Sequence, residues 1–88
     1  MAQIYNIVSC SPQETKQLQQ GQITTQQVVL RELEGEPQYC KKFAVENLSG
    51  VDLSEAVGAN VVTHIAQRFS ESNGRAWTNL VIREVYVI

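Results

Sequence analysis

Tyr39, Lys41 and Phe43 stand at i, i+2 and i+4, a spacing that an extended strand turns to one side. An aromatic, a cation and a second aromatic on one face can stack on flat rings and hold an anion between them. The opposite face of the same strand would carry Cys40, Lys42, Ala44 and Glu46. One of the two rows must supply a core, so Tyr39 and Phe43 can instead point inward and leave Lys42 outside. A second set lies near the C-terminal end, where Trp77, Asn79, Val81 and Arg83 alternate with Thr78, Leu80 and Ile82. Leu80 and Ile82 suit an interior, which puts Trp77 and Arg83 on the outer face. Arg68 and Arg75 flank the turn pair Asn73-Gly74. Cations beside exposed aromatic rings are the two ingredients needed to bind single-stranded nucleic acid.

Nothing in the chain assembles a catalytic centre. His64 is the single histidine, its neighbours Thr63 and Ile65 are not acid-base partners, and no phosphate-loop, nucleophile-elbow or metalloprotease motif occurs. Cys10 and Cys40 lie thirty residues apart with no histidine cluster, which gives no metal spacing. Free thiols are the expected state, with one disulfide left open. The expectation is a protein without enzyme activity, metal or cofactor.

The 88 residues fit one domain, 43% of them hydrophobic, which argues against wholesale disorder. The formal net charge of −2 opposes indiscriminate phosphate binding. Its distribution is uneven: residues 1–38 hold two cations, Lys16 and Arg31, against four acids, whereas residues 39–88 hold five of each sign. The opening "MAQIYNIVSC" has no basic segment followed by an apolar one, and no apolar run approaches the length of a membrane span. A cytoplasmic protein that does not enter the membrane is expected.

Residues 3–9 alternate as a strand. Residues 13–27 contain seven glutamines and read either as a short helical turn between Pro12 and Gly21 or as a solvated loop. "ITTQQVVLREL" and "QYCKKFAVENL" are strand-like, and the "EGEP" breaker with Gly35 marks a hairpin between them. Residues 53–69 admit two readings. Asp52 and Glu55 have capping-box spacing, and Leu53, Val57, Val61, Ile65 and Phe69 recur every fourth residue, giving one helix and a ferredoxin-like βαββαβ plait. Gly58, Asn60 and the β-branched "NVVTHI" favour a short helix, a break and then a strand. Periodicity alone leaves both open.

The split reading has a family likeness. "GANVVTHIAQRFSESNGRAWTNL" and "TTQQVVLRELEGEPQYCKKFAVENLSG" resemble the small OB-fold single-stranded-DNA-binding-like proteins of bacteria and phages. Gln27, Glu32, Gly35, Tyr39, Lys41, Lys42, Arg68, Asn73, Gly74, Arg75, Thr78 and Leu80 fall on that pattern. Gly58-Ala59 stands where Gly-Asp is expected, and Trp77 comes one place late. The likeness covers about Ile23 to Val85. It implies an all-β fold, a single OB-like domain over 1–88 built as a five-stranded Greek-key barrel. Its strands would lie near 3–9, 23–33, 38–46, 60–69 and 76–88, with a short helix at 53–57. It further implies low-specificity binding of single-stranded nucleic acid, DNA foremost, of the kind used in DNA replication, by a homodimer or larger assembly. Together with the strand faces read above, it makes Tyr39, Lys41, Lys42, Phe43, Arg68, Arg75, Trp77 and Arg83 the residues expected at the nucleic acid. The competing expectation is a protein-interaction module whose apolar C-terminal strand "NLVIREVYVI" offers a free edge.

Overall fold

In the computed structural model, residues 3–19, 21–33, 36 and 40–88 are described. Six strands form: β1 (Gln3–Cys10), β2 (Glu14–Leu18), β3 (Gly21–Glu32), β4 (Lys42–Asn47), β5 (Asn60–Ser72) and β6 (Arg75–Val87). Alternation sets their phase. Tyr5 and Ile7, Val28 and Leu30, and Val45 point inward with Val61, Ile82 and Val85 to make one core, while the intervening residues face out.

The strands close in the order β1-β3-β4-β6-β5 and back to β1, and only β4 and β6 run parallel, at Glu46↔Val81 and Asn47↔Ile82. This closed Greek-key ring is the OB-fold barrel. β6 lies between β5 and β4, but β4 reaches it only at Val81 and Ile82, so the edge expected at the C-terminal strand is covered there and not along its whole length. Two irregularities bend the strands around the ring. In β1, Val8 is an extra residue between the pairs Ile7↔Leu30 and Ser9↔Val29. In β6, Arg83 and Glu84 together oppose His64, and the Thr63 hydroxyl donates to the Glu84 carbonyl at 2.6 Å.

Residues 53–69 settle the choice between barrel and plait. Gly58 takes φ +92°, a left-handed conformation outside any helix. Its N–H donates to Ile7 O at 2.8 Å, and Ile7 N–H donates to Ala59 O at 3.0 Å, so the segment is already paired with β1 where a helix would continue. The long helix and its capping box do not form. Instead Asp52 accepts hydrogen bonds from Ser54 N–H and Ser54 Oγ at 2.9 and 2.7 Å. The expected 53–57 helix shrinks to a single 3-10 turn, Ser54–Ala56. Leu53, fully buried, closes this end of the barrel; burial of such a side chain contributes about 1.5–3 kcal/mol.

The glutamine-rich stretch is neither helical turn nor loop. It folds as a two-stranded ribbon, β2 against β3, from Glu14↔Thr25 to Leu18↔Gly21. Thr15 and Thr24 bring their hydroxyls within 3.3 Å, and Gln22 donates to Gln17 at 3.2 Å. Cross-strand polar pairs of this kind stabilise a ribbon whose residues are mostly polar. The hairpin expected at Gly35 lies outside the described residues, although β3 and β4 pair antiparallel on either side of it.

A buried polar cluster ties the plugged end together. Gln26 and Asn47 are each 2% exposed. Gln26 Nε2 donates to Ser11 O and Asp52 Oδ1, both at 2.9 Å, while its Oε1 accepts from Asn47 Nδ2 and Leu53 N–H, both at 3.0 Å. Asn47 Nδ2 also donates to Val51 O at 2.8 Å, and its Oδ1 accepts from Ser49 N–H at 3.0 Å. Both amides thus use all their donors and acceptors. Cys10 and Cys40 are not joined in a disulfide; burial, with a smaller push from Asp52, raises the Cys10 thiol above its ordinary pKa.

Candidate nucleic-acid interface

β5 and β6 outrun the barrel. Their pairing continues from Ile65↔Ile82 to Ser72↔Arg75, so residues beyond Gln67↔Leu80 form a two-stranded arm. At its tip Asn73 and Gly74 take φ +53° and +77°. Two successive left-handed residues define the Asn-Gly hairpin turn that matches strand twist.

Direct cross-strand partners share a face, which sorts the arm's side chains. Gln67 and Phe69 lie with Leu80 and Thr78 on the face that continues the core. Arg68, Trp77, Asn79 and Arg75 lie on the other. The three residues singled out near the turn, Arg68, Arg75 and Trp77, are therefore brought onto one surface. Trp77 is 43% exposed, and both arginines are exposed.

The same outer surface continues onto β3 and β4. Leu30↔Phe43 and Val28↔Val45 are inward pairs, so Arg31↔Lys42, Val29↔Ala44 and Gln27↔Glu46 face out. Between β4 and the arm lies a slot of about 220 Å³ lined by Gln27, Ala44, Val45, Glu46, Asn79 and Leu80. Arg31, Lys42, Arg68 and Arg75 thus flank a band running across β3 and β4 to the arm. None of the four is engaged in an ion pair among the described residues. The carboxylate in the band, Glu46, accepts the Thr25 hydroxyl at 2.9 Å.

The row at Tyr39, Lys41 and Phe43 resolves differently. Phe43 is half-buried against the core, edge to face with Tyr5 at 5.7 Å between ring centres and 85° between planes. Phe43 therefore takes the interior alternative, and Lys42 the outer face. Lys41 lies across from Glu32, whose N–H donates to the Lys41 carbonyl at 3.0 Å, on the Phe43 side of the sheet. Tyr39 lies outside the described residues. Arg83 is exposed at the β6 bulge, six residues and about 20 Å of strand from Trp77. It stands apart from the arm cluster.

Two residues escaped the sequence reading. Arg31 sits one position beyond Leu30 and opposite Lys42, so the Val28–Leu30 alternation was the signal for it. Phe69 is 72% exposed on the arm's inner face, although its four-residue spacing from Ile65 suggested a buried helical position. Among the described residues no group of three His, Cys, Asp or Glu side chains forms a metal site, and no helix is long and apolar enough to cross a membrane.

No protein-family model matches the chain, and no curated protein sequence does. Among solved structures the chain is similar to the small single-stranded DNA-binding protein from Streptomyces coelicolor. That alignment has 13% sequence identity and a TM-score of 0.45, and covers 100% of this chain and 92% of that chain.

Proposed function

We propose that the chain binds single-stranded nucleic acid, DNA foremost, with little sequence specificity, along the outer band of β3, β4 and the β5–β6 arm. The observation that carries this reading is the arm face on which Trp77 lies with Arg68 and Arg75. An exposed indole offers any base a stacking surface, and arginines at that spacing reach successive phosphates. Arg31 and Lys42 extend the cationic track to the barrel wall. Lys41 and Phe43 contribute at the neighbouring barrel mouth, Tyr39 is a further stacking candidate on its sequence spacing alone, and Arg83 meets only a strand long enough to pass down β6. The track offsets a net charge of −2 locally, so affinity is moderate and depends on salt.

A homodimer is the second part of the reading. Ile4↔Val62↔Tyr86 form a row of outward side chains across β1, β5 and β6, with Ile4 and Tyr86 exposed. A second copy would cover it. As a protein-interaction module without nucleic-acid binding, the chain would use this row and leave the cationic band idle.

Fluorescence anisotropy of a labelled oligo-dT tests the reading against a duplex of equal length. With four phosphate contacts the expected slope of log affinity against log salt is about −3, which is a loss of about 50-fold between 50 and 200 mM. Equal affinity for single strand and duplex, or binding indifferent to salt, would refute it.

A further inference from the structure

Among the described residues, nothing fills the barrel end opposite the Leu53 plug. Tyr5, Phe43, Ile65 and Leu80 floor a hollow of about 380 Å³ there, with Glu32, Lys41 and Lys42 at its rim. This hollow lies on the other side of the sheet from Trp77, Arg68 and Arg75, and Lys42, on the outer face at the end of β4, borders both. The geometry points to it as a seat for one base bearing an exocyclic amino group, cytosine among the pyrimidines. The inference rests on the single-strand reading and deepens it.

Three features argue for that occupant. The floor is aromatic and aliphatic, and the half-buried Phe43 ring already packs edge-on against Tyr5, so a flat apolar ring is the shape that covers it. The rim is divided in charge. Glu32 pairs with Tyr5 in register and lies across from Lys41, on the side facing the hollow. A carboxylate only accepts hydrogen bonds, so it takes an N–H from the cytosine amino group and repels the thymine carbonyl at the same position. Lys41 supplies the cation that a neighbouring phosphate needs. Lastly, the inner face of the arm leads from Ile65 in the floor through Gln67 to Phe69, whose exposed ring gives the next base a platform. Non-specific contacts on the outer band and one discriminating seat at the mouth are compatible, because a flexible strand can round the edge of β4.

The test compares oligo-dC with oligo-dT of equal length, at one salt concentration and pH 8, for the wild-type chain and for Glu32→Gln. The wild type is expected to bind oligo-dC about tenfold more tightly. Glu32→Gln, which adds a donor that thymine can accept, is expected to bring the two affinities together. Equal binding of both by the wild type overturns the inference and leaves the single-strand reading standing, as does a cytosine preference that survives in Glu32→Gln. Failure of both oligonucleotides to bind overturns both. Circular dichroism confirms that the variant is folded; if it is not, the wild-type comparison alone decides.

Discussion

Replacing Gln26 by leucine is expected to lower the unfolding free energy by about 3 kcal/mol or more, although leucine is apolar and close in size. The side chain is held in a site where every partner depends on it. Without its amide, Leu53 N–H and one Asn47 Nδ2 hydrogen lose their acceptor, and Ser11 O loses its donor. A buried group left unsatisfied costs about 1–3 kcal/mol, and several are created at once. The loss is large against the 5–15 kcal/mol typical of a whole domain. Because this cluster joins β3, β4 and the segment leading to the plug, the barrel end loosens as a unit. Urea melts followed by far-ultraviolet circular dichroism measure the effect. A change below about 0.5 kcal/mol would show that the cluster is not what closes that end.

Trp77→Ala is expected to weaken oligo-dT binding by about 1–3 kcal/mol, a factor of roughly 5 to 150, with a smaller effect on stability. Trp77 pairs with Ser70 on the arm, outside the core residues, so its removal creates no core cavity. Stacking is lost but the cations remain, so the salt slope should stay near the wild-type value. Arg75→Ala should do the reverse and reduce the slope by about 0.7 with a modest loss of affinity. That split separates a stacking residue from a phosphate contact. An unchanged affinity in Trp77→Ala would move the binding surface elsewhere.

Much of the barrel was legible because its inward residues are apolar and alternate: Tyr5 with Ile7, Val28 with Leu30, Leu80 with Ile82. The decisive segment, 53–69, was ambiguous because Leu53, Val57, Val61, Ile65 and Phe69 fit a helical stripe. Gly58 in a left-handed conformation, bonded to β1, and the pairing of β5 with β1 and β6 show that the stripe is accidental. The β2–β3 ribbon was invisible because it is mostly polar, with Leu18 and Ile23 its two aliphatic residues, too few to show an apolar face by alternation. Gln26 looked like one more solvated glutamine in that run; its burial is set by long-range partners on Asn47 and Leu53, which no local pattern reports. The candidate site was half legible. Arg68, Arg75 and Trp77 follow from a hairpin with an Asn-Gly turn, whose register fixes which side chains share a face. At Phe43 and Lys42 the phase was undetermined, and pairing with Leu30 and Arg31 of β3 fixes it.

The central claim is that a single strand lies against the arm face bearing Trp77. Trp77 is the single tryptophan, so emission excited at the red edge of the indole band, where the three tyrosines do not absorb, reports on that face. Titration with unlabelled oligo-dT at low salt is predicted to quench the emission saturably, and added salt is predicted to restore it as the strand dissociates. An emission that stays constant while anisotropy shows the oligonucleotide bound would contradict the claim.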